Sequence, residues 1–303
     1  MNNDRSPFTL AEWAAITAII LVWGVNNVAA KVATQALPPL FMGGARFAIA
    51  LALLIPVLIK PPWPPWRQAL PVMLLAGPLH FGLVYIAFAV AHSLSPLVVA
   101  LQLWIPMTTF FAWRILGETM RPAAILGMVV AFVGVAFMTL DPQGGADLPG
   151  ICIGVVASGL WALATVLMRR TTAVRPLKMQ ALASLVGAPV LLAASAVFEP
   201  HLAERAAHAG WFVWSLVVWA AVASTIGATA LLFWLVQRRE AGRVTPWFLL
   251  TPLVSCTFGV LLLHDRLSVQ LVLGGGATLM GVALVALAER RALAEAQASA
   301  GAA

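Results

Sequence analysis

The stretch Trp23-Gly24-Val25-Asn26-Asn27-Val28-Ala29-Ala30-Lys31, closed by Pro38, returns 138 residues later as Trp161-Ala162, Arg169 and Pro176. A tryptophan, a cation eight positions on and a proline seven further thus occur twice in register, each time in an apolar run. Later landmarks repeat at an offset of 147, where Glu118, Gly127 and Gly134 find Asp265, Gly274 and Gly281. The second half has gained nine residues, most simply in the loop from Phe198 to Gly210. Internal duplication of hydrophobic helices is a signature of transporters whose halves rock around a shared central site.

Composition places those helices in lipid. The chain is 62% hydrophobic and only 10% charged, with a mean hydropathy of +0.95, whereas soluble domains carry roughly a quarter charged residues. A span needs ~20 mostly apolar residues to cross ~30 Å of hydrocarbon. Segments of that length fall at 12–34, 40–59, 69–91, 95–116, 122–140, 149–169, 178–197, 211–236, 243–263 and 268–288. Helices are favoured over barrel strands, because backbone exposed to lipid must satisfy its hydrogen bonds within itself. The fold class read from this is an all-α integral membrane protein with ten transmembrane helices in two inverted five-helix repeats. The first repeat covers 1–141, the second 142–291, and 292–303 forms a disordered cytoplasmic tail.

Cytoplasmic loops retain positive charge, so the cations set the orientation. With the N-terminus inside, fourteen cations fall on the inner side (Arg5, Lys60, Arg67, Arg114, Arg121, Arg169, Arg170, Arg175, Lys178, Arg238, Arg239, Arg243, Arg290 and Arg291) and only Arg205 and Arg266 outside. Lys31 and Arg46 remain near the outer ends of the first two spans, where they either hold a substrate carboxylate or snorkel to headgroups, the latter being preferred. Both termini are therefore expected in the cytoplasm. Five helices per copy is odd, so the second copy enters the membrane in the opposite sense to the first. The net charge of +7 follows from the positive-inside bias, and no nucleic-acid partner is expected. Cys152 and Cys256 sit inside spans with no pairing pattern, and no cleavable signal is evident. Interfacial tryptophans such as Trp13, Trp63, Trp66, Trp211 and Trp247 fit an aromatic belt.

The Trp23-Gly24 to Lys31 stretch, Pro39 followed by Arg46-Phe47, the Leu116-Gly117-Glu118 end of the fourth span and the glycine-rich fifth span resemble the EamA-type members of the drug/metabolite transporter superfamily. The similarity covers nearly the whole chain in two copies. It implies ten helices, inverted repeats and export of amino acids, metabolites or drugs, including an aromatic amino acid exporter group. It also implies a cavity lined mainly by the first, third, fourth, sixth, eighth and ninth helices. The second copy departs at Ala162 and at His264-Asp265, which stand where the first has Gly24 and Gly117-Glu118.

Candidate site residues follow from polar side chains at depth. The first span carries Trp23, Asn26, Asn27, Ala30 and Lys31 on one face, which does not suit lipid. The corresponding face of the sixth carries Ser158, Trp161, Ala164, Thr165 and Arg169. Asn27 and Thr165 either touch solute or tie helices together; Trp23 and Trp161 either stack on a substrate or fill the core. His80 is the mid-span side chain whose ordinary pKa is near neutrality, so it is the candidate for proton coupling, the alternative being simple packing. Tyr85 lies about 140° around the helix from His80, and Trp104 about 200° from Gln102, so His80 and Gln102 are placed in the cavity and the other two outside it. Thr225 in the eighth span and Thr251 in the ninth complete the set. Pro78, Pro106 and Pro252 are candidate hinges.

All eleven carboxylates fall in loops, tails or span ends. An exchanger of cations for protons keeps an acid within the membrane, so that class is disfavoured. No G-x-S-x-G or H-E-x-x-H pattern occurs and the five histidines are scattered, so no enzyme, metal site or cofactor is expected. The sequence reading is an inner-membrane exporter of small metabolites, most simply amino acids, working by alternating access in the lipid bilayer of a bacterial cell. Broad drug efflux is the alternative. Whether the protein is a monomer or a homodimer is not legible.

Overall fold

The structure, a computed structural model, describes residues 7–140, 144–169, 175–236, 238–239 and 244–300. The predicted repeat boundary at 141–142 and the cations Arg5, Arg170 and Arg243 lie outside the described residues. Every regular element among the described residues is helical. Eight helices are long and apolar enough to cross a membrane, and two shorter apolar ones, Pro122–Met138 and Trp247–Leu263, fall on the two remaining predicted spans. In chain order they are α1 (Leu10–Ala36), α2 (Pro39–Leu58), α3 (Trp66–Val90), α4 (Ser95–Leu116), α5 (Pro122–Met138), α6 (Gly144–Met168), α7 (Pro176–Phe198), α8 (211–236), α9 (Trp247–Leu263) and α10 (Val269–Ala300). α10 continues as helix through Ala300, where the sequence reading placed a disordered tail from 292; the run Ala292 to Ala300 is built from strong helix formers.

α1 begins in a capping box: the Thr9 hydroxyl accepts from the Glu12 amide at 3.3 Å, and the Glu12 carboxylate accepts from the Thr9 amide at 2.7 Å. The same carboxylate takes Arg239 Nε at 2.7 Å and Nη2 at 2.9 Å, tying the start of α1 to the chain beyond α8. α2 is capped from a distance. Glu199, just past α7, accepts from the amides of Leu40 at 2.7 Å and Phe41 at 3.0 Å. The loop to which the sequence reading assigned the extra residues of the second half holds a short helix, Leu202–His208. From it Arg205 donates to the carbonyls of Gln35 and Ala36 and so closes the C-terminus of α1.

Glycines let two helix pairs approach backbone to backbone. A Cβ at Gly127 would stand 2.6 Å from the Gly281 carbonyl oxygen, and one at Gly134 would stand 2.5 Å from that of Gly274. The reverse contacts are as close, at 2.4 Å and 2.6 Å, so α5 and α10 run antiparallel with Gly127 against Gly281 and Gly134 against Gly274. The Thr278 hydroxyl crosses this seam to the Ala131 carbonyl at 3.3 Å. α2 also packs closely along α7, with Gly43 and Gly44 under the side chains of Leu191 and Leu192 and Gly187 against the Phe47 ring.

The α3–α4 corner is held by charged groups from three other segments. Asp147, at the start of α6, accepts from the amides of His92 at 2.5 Å and Ser93 at 2.9 Å. Asp265, just past α9, accepts from the amides of Leu94 at 3.3 Å and Ser95 at 2.7 Å and from the Ser95 hydroxyl at 2.6 Å. Lys31 of α1 donates to the carbonyls of Phe88 and Ala91. It is 4% exposed, so it does not snorkel: its ammonium caps the end of α3 instead.

Two predictions follow from this packing. Gly134→Leu forces α5 and α10 apart and is expected to lower stability by about 1–3 kcal/mol, while Gly276→Ala, which meets nothing within 4 Å, leaves it unchanged; thermal melts of the purified protein in detergent compare them. Asp265→Ala strands three donors and is expected to cost at least about 2 kcal/mol. Its repeat counterpart Glu118 is 46% exposed and bonded to Arg169 at 2.8 Å, so Glu118→Ala changes stability by less than about 1 kcal/mol.

Candidate functional site

Several helices depart from regular geometry where they surround the centre. In α3, Pro78 has no amide to donate, and the turn Leu75–Leu79 widens to a π-helix just before His80. Here Gly77 sits under the Ala183 carbonyl of α7, 3.0 Å from where a Cβ would be. α4 breaks at Gln102 and Leu103, whose amides bond to Val99 and Ala100 in tighter i to i−3 fashion. Pro106 lies one turn beyond, buried. α8 opens into a π-helical stretch over Ala220–Ala228, in which the Thr225 hydroxyl donates five residues back to the Ala220 carbonyl at 2.7 Å. Pro252 stands where a 3-10 turn, Thr245–Leu250, becomes the α-helix Thr251–Leu263.

These irregularities surround a cavity of about 450 Å³. From the first half α1 contributes Trp23, Asn26, Asn27 and Ala30, α3 contributes His80, Phe81, Val84, Tyr85 and Phe88, and α4 contributes Gln102 and Trp104. From the second half come Ser158 and Trp161 of α6, Leu232 of α8, and Phe248, Thr251 and Pro252 around the start of α9. Arg46 of α2 completes the wall.

Seven of the nine sequence-predicted site residues line this space: Trp23, Asn26, Asn27, His80, Gln102, Trp161 and Thr251. Thr165 does not. Its hydroxyl turns back to the Trp161 carbonyl at 2.8 Å, satisfied within its own helix. Thr225 is also absent from the wall, but it accepts Arg46 Nε at 2.7 Å and so stands directly behind a wall residue. Tyr85 and Trp104 do line the cavity, against expectation. On α3 the wall arc runs from His80 through Val84, Phe88 and Phe81 to Tyr85, so the helix turns more than a third of its circumference inward, and 140° of separation excludes nothing. On α4 the break at Gln102 and Leu103 ends the uniform 100° step on which the exclusion of Trp104 relied.

Aromatic rings organise the apolar part. Trp23 meets Phe248 edge-on at 5.4 Å between ring centroids, and Trp161 lies 4.9 Å from His80 and 6.1 Å from Phe81. His80 Nδ1 is 2.8 Å from the Ala157 carbonyl oxygen. A carbonyl only accepts, so Nδ1 carries the proton and Nε2 is the other, uncommitted nitrogen. Asn27 Nδ2 donates to the Ser255 hydroxyl at 3.0 Å, which in turn reaches the Gly24 carbonyl at 3.1 Å, tying α1 to α9. Asn26 Oδ1 and Thr251 Oγ1 are buried without a partner among the described residues. One comes from each half of the chain.

Arg46, for which the sequence reading preferred snorkelling over holding a substrate carboxylate, stands in the wall. It is 5% exposed rather than snorkelling, with Nη1 donating to the Tyr85 hydroxyl at 2.8 Å and its guanidinium carbon 4.6 Å above the Phe81 ring. The available signal was an arginine seven residues into an apolar helix, deeper than a flexible side chain needs to be to reach headgroups.

Comparison with known proteins agrees with this architecture. A solved structure, with 19% identity, superposes with a TM-score of 0.63 over 93% of this chain and 98% of its own. The uncharacterized transporter YvbV of Bacillus subtilis is 28% identical over 84% of this chain and 85% of its own length. The uncharacterized inner membrane transporter YedA of Escherichia coli K12 is 24% identical over 92% and 91%. A probable amino-acid metabolite efflux pump of the same organism is 26% identical over 87% and 91%. The profile of the EamA-like transporter family matches twice, over residues 10–140 and 148–287, and the chain belongs to that family of membrane transporters.

Proposed function

We propose that the protein exports small metabolites, amino acids first among them, from the cytoplasm across the inner membrane by alternating access of two inverted five-helix repeats, 1–141 and 142–291, around the central cavity. The observation that carries this reading is the central cavity walled by both halves of the chain, in which the polar side chains of Asn26, Gln102 and Thr251 stand among aromatic rings. Polar side chains within a membrane-spanning bundle are costly and are kept where they line a solute path, so this wall suits a solute with both polar and apolar parts. Support for the repeat comes from equivalent positions behaving alike. Gly117 and His264, 147 apart, both adopt a left-handed conformation with φ of 71° and 58°. The next residue in each case bonds six positions back, Glu118 to Ala112 at 3.5 Å and Asp265 to Gly259 at 3.1 Å. The reciprocal glycine contacts between α5 and α10 map onto themselves when the halves are exchanged, as an in-plane two-fold requires.

In this reading the aromatic wall receives the apolar part of the solute, and Gln102, which has no side-chain partner among the described residues, binds its polar part. The hinges are Pro78, Pro106 and Pro252, each beside an interruption in backbone hydrogen bonding. His80 Nε2 takes the proton if transport is gradient-driven. Both termini are cytoplasmic, so a green fluorescent protein fused after Ala303 is expected to fluoresce in cells, and a periplasmic reporter at the same place to stay inactive; the opposite pattern inverts the topology. Uptake of a labelled amino-acid panel into proteoliposomes, with and without a pH gradient, tests the function. One class of amino acid is expected to move, with flux falling about tenfold or more in Gln102→Ala combined with Thr251→Val. Gradient dependence is expected to vanish in His80→Gln. No flux of any amino acid moves the assignment to other solutes.

A further inference from the structure

The transport reading leaves one group unused, the guanidinium of Arg46. It is buried at the level of the cavity and contributes to its wall. Its two hydrogen-bond partners, Thr225 and Tyr85, are both neutral hydroxyls. Its second terminal nitrogen, Nη2, makes no hydrogen bond to the described residues, and none of the described residues lining the cavity is acidic. The described carboxylates nearest in kind are committed elsewhere: Glu12 to Arg239, Glu118 to Arg169, Asp147 and Asp265 to the α3–α4 corner, Glu199 to the start of α2. A permanent charge taken out of water without a counter-ion is among the costlier arrangements in a membrane protein, and such residues are kept for solute paths.

We infer that Arg46 is the anchor for a carboxylate on the transported solute, so that the cargo is a small carboxylic acid bound acid-first. This deepens the transport reading and rests on it. The geometry suits the role. Thr225 takes Nε and Tyr85 takes one hydrogen of Nη1, which fixes the plane of the fork, and Phe81 packs against its face. The edge bearing Nη2 keeps its donors for a bidentate partner, the arrangement a planar carboxylate matches. A cationic amphiphile would meet the like charge of Arg46 with no acid in the cavity wall to offset it, so the same geometry disfavours lipophilic amine drugs.

The test is counterflow into proteoliposomes of the full-length protein, using L-phenylalanine and L-leucine, their methyl esters, the decarboxylated amines 2-phenylethylamine and isoamylamine, and 3-phenylpropionate. The acids are expected to exchange, with esters and amines at least about tenfold weaker as substrates and competitors. Arg46→Gln is expected to raise KM by about tenfold or more and to abolish the preference for acid over ester. Arg46→Lys, which keeps the charge without the fork, falls between; gel filtration of each variant reports its folding. If Arg46→Gln does not fold, the wild-type ratio of acid to ester decides. Equal flux of acids, esters and amines, or of amines alone, overturns the anchor while transport stands. No flux of any member overturns the amino-acid reading and the anchor with it.

Discussion

Four consecutive backbone amides, His92 to Ser95, point at two carboxylates, and much of the arrangement of the helices depends on that corner. In a bilayer a turn between helices must find partners within the protein, because lipid supplies none. Asp147 and Asp265 provide them from the starts and ends of other helices, and Lys31 takes the carbonyls that α3 leaves open. Two negative charges and one positive charge, Asp147, Asp265 and Lys31, themselves 2%, 9% and 4% exposed, thus sit around one turn. Because the three residues come from α1, from α6 and from beyond α9, both halves of the chain are fastened at this end of the cavity. The other end has its own fastening, the buried Glu12–Arg239 pair between the start of α1 and the chain past α8. The Glu118–Arg169 pair, half exposed, occupies the positions that correspond to Asp265 and Lys31. Equivalent residues therefore make a wet ion pair at one place and a dry clamp at another, each drawing on both halves of the chain.

Between these two fastenings the helices give up regularity. π turns in α3 and α8, the broken turn in α4 and the 3-10 entry to α9 each release or redirect backbone groups near the cavity. Such departures persist in membrane proteins where they line a space rather than face lipid. They also place side chains where a uniform helix would not. The π stretch in α8 lets Thr225 bond five residues back while accepting Arg46, and that contact orients the one permanent charge among the described residues of the cavity wall.

The repeat, the span positions and most of the polar wall were legible because each is carried by local composition. Trp23, Asn26 and Asn27 share a face by helical spacing alone, and polar atoms on an apolar helix have few places to go. Arg46 and Lys31 were misread together for one reason. Snorkelling is a judgement about depth, and depth depends on what stands between a side chain and the headgroups. Here α3 and its corner cover Lys31, while Tyr85, Phe81 and α8 enclose Arg46. Thr165 failed in the opposite sense: its face was right, but a hydroxyl bonded to its own helix has no need of the cavity.

By itself the sequence determined that the chain is helical, apolar and duplicated, since hydropathy, charge placement and the two offsets are properties of the chain read in order. The tertiary structure decided which polar groups remain without partners. Satisfaction of a hydrogen bond depends on neighbours hundreds of residues away, as between Asn27 and Ser255 or Arg46 and Thr225, and no local pattern encodes such a pairing. That is why the arginine in the wall, rather than the histidine or the amides beside it, emerged only once the helices were packed.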